Sequence, residues 1–168
     1  MLASKILVMG LPGSGKTTLA GELKKYLEEN SNVNNMPGWH YADVDVMPKT
    51  FTAIVDWFNA DIIRTKFNDW DFSNEGRIRQ SIRMAKFALE CTGDYVICDF
   101  IAPLPEMREN FNADWIIWLD TIGEGRYDDT NKAFIPPTDY DFRITEKNAV
   151  KWAAYIGDRI LECRHNSL

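Results

Sequence analysis

This chain lacks a positive charge balance, paired cysteines and all but two histidines, and each lack narrows what it can be. Lys and Arg number 19 against 25 Asp and Glu, a net charge of −6. Such a chain lacks the broad basic surface that polynucleotide binding uses, which argues against nucleic acid as a partner. A small nucleotide is not excluded, because its phosphates need only a few placed arginines. The 2 histidines, His40 and His165, are isolated, and the 3 cysteines, Cys91, Cys98 and Cys163, form no C-x-x-C pair. That excludes a zinc site and predicts reduced thiols in a cytoplasmic setting. No apolar run approaches the roughly 18 residues of a membrane span. Met1-Leu2-Ala3-Ser4 leads straight into a strand, so no leader is expected. There is no internal repeat and no dividing linker, so the 168 residues read as one domain, 1–168.

What the chain does have is Gly10-Leu11-Pro12-Gly13-Ser14-Gly15-Lys16-Thr17, which fits the phosphate-binding loop G-x-x-x-x-G-K-[ST]. Its context fits too. The apolar run Lys5–Met9 precedes it as a buried parallel strand would. Leu19, Leu23, Tyr26 and Leu27 follow at helical spacing. A triphosphate needs many donors close together, and Gly10, Gly13 and Gly15 let the backbone curl around it. Ser14 and Thr18 complete the expected ATP-binding set. Lys16 is expected to reach the β- and γ-phosphates, and Thr17 to offer its hydroxyl to Mg2+.

Along the rest of the chain, strand and helix patterns alternate. A turn-rich loop covers 30–38, a weak strand 40–46 and a better strand 51–58, followed by a short helix 62–67. Ser73 reads as the N-cap of a helix to about Cys91, with Ile78, Ile82, Ala85 and Leu89 inward. Buried strands are expected at Tyr95–Asp99 and Trp115–Leu119, with a short helix 106–111 between them. The segment 121–138 has no clean period and reads as a lid. An edge strand 140–144 and a helix capped by Thr145 close the chain, with Ala149, Val150, Ala153, Ile156, Ile160 and Leu161 inward. This order predicts an α/β P-loop fold: a doubly wound, mostly parallel five-stranded sheet in the order 2-3-1-4-5.

Ligands of such sheets gather at the carboxyl ends of the strands, which singles out Asp61, Asp99 and Asp120. Asp99 resembles a Walker B carboxylate, a candidate metal ligand, with a turn or capping aspartate as the alternative. Asp61 is the candidate base for an acceptor hydroxyl, and Arg64, three residues on, can hold an anionic acceptor group. Asp43 and Asp45 compete for the base role from a weaker strand. Phe72 stands in a polar loop, either to stack on a base or to pack under the next helix.

At these residues the chain resembles the adenylylsulfate kinases, which phosphorylate the ribose 3′-hydroxyl of adenosine 5′-phosphosulfate (APS) with ATP. Ala60-Asp61-Ile62-Ile63-Arg64 is similar to that family's Gly-Asp-Asn-Val-Arg. Phe72-Ser73 with Arg77 resembles its Phe-Ser-x-x-x-Arg, Phe100-Ile101-Ala102-Pro103 its Phe-Ile-Ser-Pro, and Lys132-Ala133-Phe134 its lid motif Lys-x-Phe. The resemblance implies an ATP- and Mg2+-dependent kinase. Asp61 would be the base; Arg64, Phe72, Arg77, Ile101, Lys132 and Phe134 would bind the acceptor, whose base is held between Phe72 and Phe134. Arg108 stands in the place of a further family arginine. The family often dimerises, which makes a homodimer an expectation. The chain departs from the pattern at Ala102, Pro105 and Asp99, and in the shortened Gly123-Glu124-Gly125-Arg126-Tyr127. A kinase for another nucleotide, a sugar or a hydroxylated base stays open, as does a nucleotide-binding switch without an acceptor.

Overall fold

In the computed structural model, residues 2–31 and 52–165 are described, the last two without their side chains. The strands are β1 (Ser4–Gly10), β2 (Val55–Asn59), β3 (Tyr95–Asp99), β4 (Trp115–Leu119) and β5 (Phe142–Ile144). The helices are α1 (Lys16–Asn30), α2 (Ala60–Phe67), α3 (Asn74–Glu90), α4 (Pro105–Phe111), α5 (Asp128–Ala133) and α6 (Ala149–His165). All five strands are parallel, in the order β2-β3-β1-β4-β5, as the sequence predicts.

The central strand shows why this sheet needs helices on both faces. Alternate residues of a strand point to opposite sides. Ile6 and Val8 join a core with Leu19, Leu23 and Leu27 of α1 and Ala153, Ile156 and Ile160 of α6. Leu7 and Met9 join a second core with Met84 and Ala88 of α3 and Phe111 of α4. The carboxyl ends of β1, β2 and β3 therefore open onto one edge between two helical layers, and the loops there are free to carry chemistry.

Four local expectations change. The strand read over 51–58 is shorter and shifted, Val55–Asn59, while the weak strand with Asp43 and Asp45 lies outside the described residues. Asp61 does not end a strand. It sits in the first turn of α2, whose N-cap is Asn59. α3 turns its other face inward: Gly76, Arg77, Gln80, Ser81, Met84 and Ala88 are buried, while Ile82 and Leu89 are 55% and 56% exposed. The last helix starts later than Thr145: the Asn148 side chain accepts from Lys151 N (3.3 Å) and its carbonyl from Trp152 N (3.0 Å), and Val150 is 68% exposed.

Candidate active site

The P-loop joins β1 to α1 and is held from behind. Gly10 has φ +150°, and a Cβ there would lie 2.6 Å from the Leu119 carbonyl oxygen, so the loop can leave the sheet here only as glycine. Three loop carbonyls are claimed by side chains. Lys16 Nζ donates to Leu11 O (3.0 Å), Lys147 Nζ to Gly13 O (2.8 Å) and Thr121 Oγ1 to Ser14 O (2.7 Å). With the carbonyls tied back, the loop and the start of α1 can offer N–H groups and the positive helix end to an anion.

Lys16 is half-buried at this mouth. Burial lowers its pKa from 10.5 to about 8, against the attraction of Asp99 and Asp61. Both carboxylates therefore lie within electrostatic reach of the loop lysine, as a site for phosphate chemistry requires. Thr17 and Thr18 are exposed in the first turn of α1. Asp99, only 2% exposed, has its pKa raised by burial, partly offset by Asn59, Thr17, the Trp57 indole and the Lys16 charge. Its Oδ2 accepts from Asn59 Nδ2 at 3.0 Å, and its buried Oδ1 has no hydrogen-bond partner among the described residues. A buried carboxylate oxygen without a partner is costly. A hard divalent cation would remove that cost, with Thr17 and Asp99 as its oxygen ligands. No group of three or more His, Cys, Asp and Glu among the described residues could hold a metal, so substrate phosphates would have to supply further ligands.

Beside the loop lies a cavity of about 230 Å³, walled by Ser14, Thr18, Leu119, Ile144, Lys147 and Trp152 among others. Ser14 Oγ and the Trp152 indole nitrogen are both buried there without hydrogen-bond partners. The cavity is mostly apolar with a few polar groups, and it adjoins the phosphate cradle.

Across the mouth, α2 and the loop before α3 form the other wall. Asp61 is exposed in the first turn of α2. Arg64 is buried, and Nη1 donates to the carbonyls of Asp69 (2.9 Å) and Asp71 (3.0 Å). Its guanidinium lies 4.6 Å from the centre of the Phe72 ring, which is itself exposed. Ser73 caps α3, accepting from Gly76 N at 3.2 Å. Gly76 is required, because a Cβ there would overlap the Asp71 carbonyl oxygen.

Arg77 binds three segments together: Nε donates to Phe72 O (2.7 Å), and Nη2 to Asp129 Oδ2 (2.7 Å) and Thr130 Oγ1 (3.0 Å) on α5. Arg79 and Arg83 both pair with Asp69. Arg108, also buried, donates to the carbonyls of Ala102 (2.9 Å), Pro103 (3.0 Å) and Ile135. Phe134 is half-buried, with Arg108 5.8 Å from its ring centre; Ile101 is half-buried and Lys132 exposed. The three buried arginines thus spend much of their donor capacity on the chain's own oxygens.

Of the residues singled out from the sequence, Lys16, Thr17, Asp61 and Asp99 lie around one mouth. Sequence reasoning missed Asn59, Lys147 and Trp152. Asn59 had one readable signal, a capping residue between an apolar strand and a helix. Lys147 and Trp152 act across more than 100 residues of chain and left none.

Compared with known proteins, residues 4–109 match the family model described as chromatin associated protein KTI12. No curated protein matches the sequence. The fold is similar to the Mycobacterium tuberculosis APS kinase CysC in complex with AMPPNP and APS, with a TM-score of 0.67. The two are 18% identical over 95% of this chain and 98% of that one. A mutant of the same enzyme gives a TM-score of 0.67, at 20% identity over 96% and 98% of the chains. Shikimate kinase from Acinetobacter baumannii, in complex with shikimate, gives 0.52, at 15% identity over 98% and 94%. At such identities the likeness is one of fold: a P-loop kinase fold of the APS kinase type. Among the described residues no helix is long and apolar enough to cross a membrane.

Proposed function

The chain belongs to the KTI12 family, and from that premise we propose that it is a phosphotransferase, moving the γ-phosphoryl group of ATP to a hydroxyl of a nucleotide-like acceptor. The observation that carries this reading is that two carboxylates from two different elements, Asp99 and Asp61, both act on the Lys16 charge, with Asn59 bonded to the Asp99 side chain and to the Asp61 backbone N–H. A protein that only bound a nucleotide would need the P-loop and Asp99. It would not need a second, exposed carboxylate across the mouth.

In this reading the P-loop and Lys16 cradle the triphosphate, and its nucleoside occupies the cavity beside Trp152. Thr17 and Asp99 would hold Mg2+, which neutralises charge on the phosphates. Asp61 accepts the proton of the acceptor hydroxyl as that oxygen bonds to the γ-phosphorus. The bond from the γ-phosphorus to the bridging oxygen breaks, and ADP leaves. Phe72 offers its open ring face to the acceptor.

APS is the first acceptor to test, given the fold and the Phe72, Ile101 and Phe134 positions. A less anionic acceptor is favoured by one observation: Arg64 and Arg108 are already bonded to backbone carbonyls. The experiment is a panel of nucleotides, sugars and hydroxylated bases with ATP and Mg2+, read by product mass. A phosphorylated acceptor with matched ADP is the expected result. ATP consumption independent of every acceptor would overturn it.

A further inference from the structure

Asn59 holds both walls of the mouth at once. It ends β2 in register with Asp99, the last residue of β3. Its Nδ2 donates to Thr17 Oγ1 (3.2 Å) and to Asp99 Oδ2 (3.0 Å). Its Oδ1 accepts from the backbone N–H groups of Asp61 (3.0 Å) and Ile62 (3.1 Å). The amide can sit only this way round. Turned over, its oxygen would face the Asp99 carboxylate, and its NH2 would face two N–H donors. One planar group therefore joins Thr17 and Asp99, the two side chains suited to a metal, to the first turn of the helix that carries Asp61.

We propose that Asn59 is a positioning residue that couples nucleotide and cation occupancy at Thr17 and Asp99 to the placement of Asp61 on α2. The inference rests on the proposed donor site and adds a link between the two sides. Thr17 and Asp99 would shift if their oxygens held a cation, and they are the partners of Nδ2. The rigid amide carries that shift to Oδ1 and so to the first turn of α2. Coupling is reciprocal: an acceptor that orders α2 should tighten binding of the nucleotide by the same factor.

Substitutions separate the two halves of the role. Serine is a good N-cap but too short to bridge, alanine does neither, and aspartate caps while placing a charge against Asp99. The test is amide hydrogen exchange over residues 61–67 with and without Mg2+ and AMPPNP, together with thermal melting. In the parent, Mg2+ with AMPPNP should slow exchange over 61–67 several-fold. Asn59→Ser should keep the ligand-free protection and lose the response to nucleotide. Asn59→Ala should exchange fast in both states. Asn59→Asp should melt lower than the parent in chelator and gain more from Mg2+ alone.

A serine variant that responds like the parent overturns the coupling. So does a parent in which the amides of 13–17 respond to nucleotide while those of 61–67 do not; the donor site then stands without the link. If the amides of 13–17 fail to respond, the nucleotide reading fails and the coupling falls with it.

Discussion

The two walls of the mouth treat their polar groups in opposite ways. On the P-loop side, groups are left unspent: Asp99 Oδ1 and Ser14 Oγ have no partner, and Lys16 is held by a single carbonyl with its pKa lowered by burial. On the side formed by α2, α3 and α4, Arg64, Arg77 and Arg108 are each bonded more than once to the chain's own oxygens. Unspent buried groups cost stability until a ligand arrives. Saturated ones stabilise the wall before any ligand is present. The P-loop wall keeps polar groups open to a ligand, while the other wall is built first to hold its own shape.

The comparison breaks most sharply at Lys16. Lys16→Ala should abolish phosphoryl transfer while melting no lower than the parent, since it removes a charge that burial disfavours; a parallel fall in melting temperature would place Lys16 among the structural groups. Next is Asp61→Asn, which should lower kcat by a factor on the order of 10²–10⁴ and leave ATP affinity unchanged, as read by steady-state kinetics.

Arg108→Ala should do the reverse of Lys16→Ala. It strands buried carbonyls and should cost at least about 3 kcal/mol of stability, measured by denaturant unfolding. Phe72→Ala should raise the acceptor KM by an amount worth roughly 1–3 kcal/mol if stacking is lost, with little change for ATP.

The smallest effect concerns pH. Lys16 has a folded pKa near 8 against 10.5 unfolded, so its penalty on stability is full below pH 8 and fades as pH rises toward 10.5. A bound triphosphate should raise that pKa again. Nucleotide binding should then take up a proton above pH 8 and weaken by at most about tenfold per pH unit, which calorimetry in buffers of different ionisation heat would show.

This asymmetry also explains what could be read from the sequence. The P-loop, Asp99 and the strands β3 and β4 were legible because each rests on local chemistry: a glycine pattern, or an apolar run bounded by a polar residue. The sheet order followed from the alternation of elements. α3 was misread because hydropathy counts arginine and glutamine as outward, whereas Arg77 and Gln80 are buried among backbone oxygens of neighbouring segments. Ile82 and Leu89 then appeared to mark the core. Asn59 was missed because two of its bonds go to residues 42 and 40 positions away.

The Arg77 clamp has a consequence for the speed of turnover. It ties α5 to α3 through Asp129, whose side chain is 65% exposed, and Thr130. An ion pair with one solvated partner is weakened by dissolved salt, whereas the uncharged bond to Thr130 is not. If α5 must lift to release product, the release rate should climb with ionic strength while the chemical step stays constant. On the proposed function, turnover would then be limited by opening in dilute buffer and by chemistry in concentrated buffer.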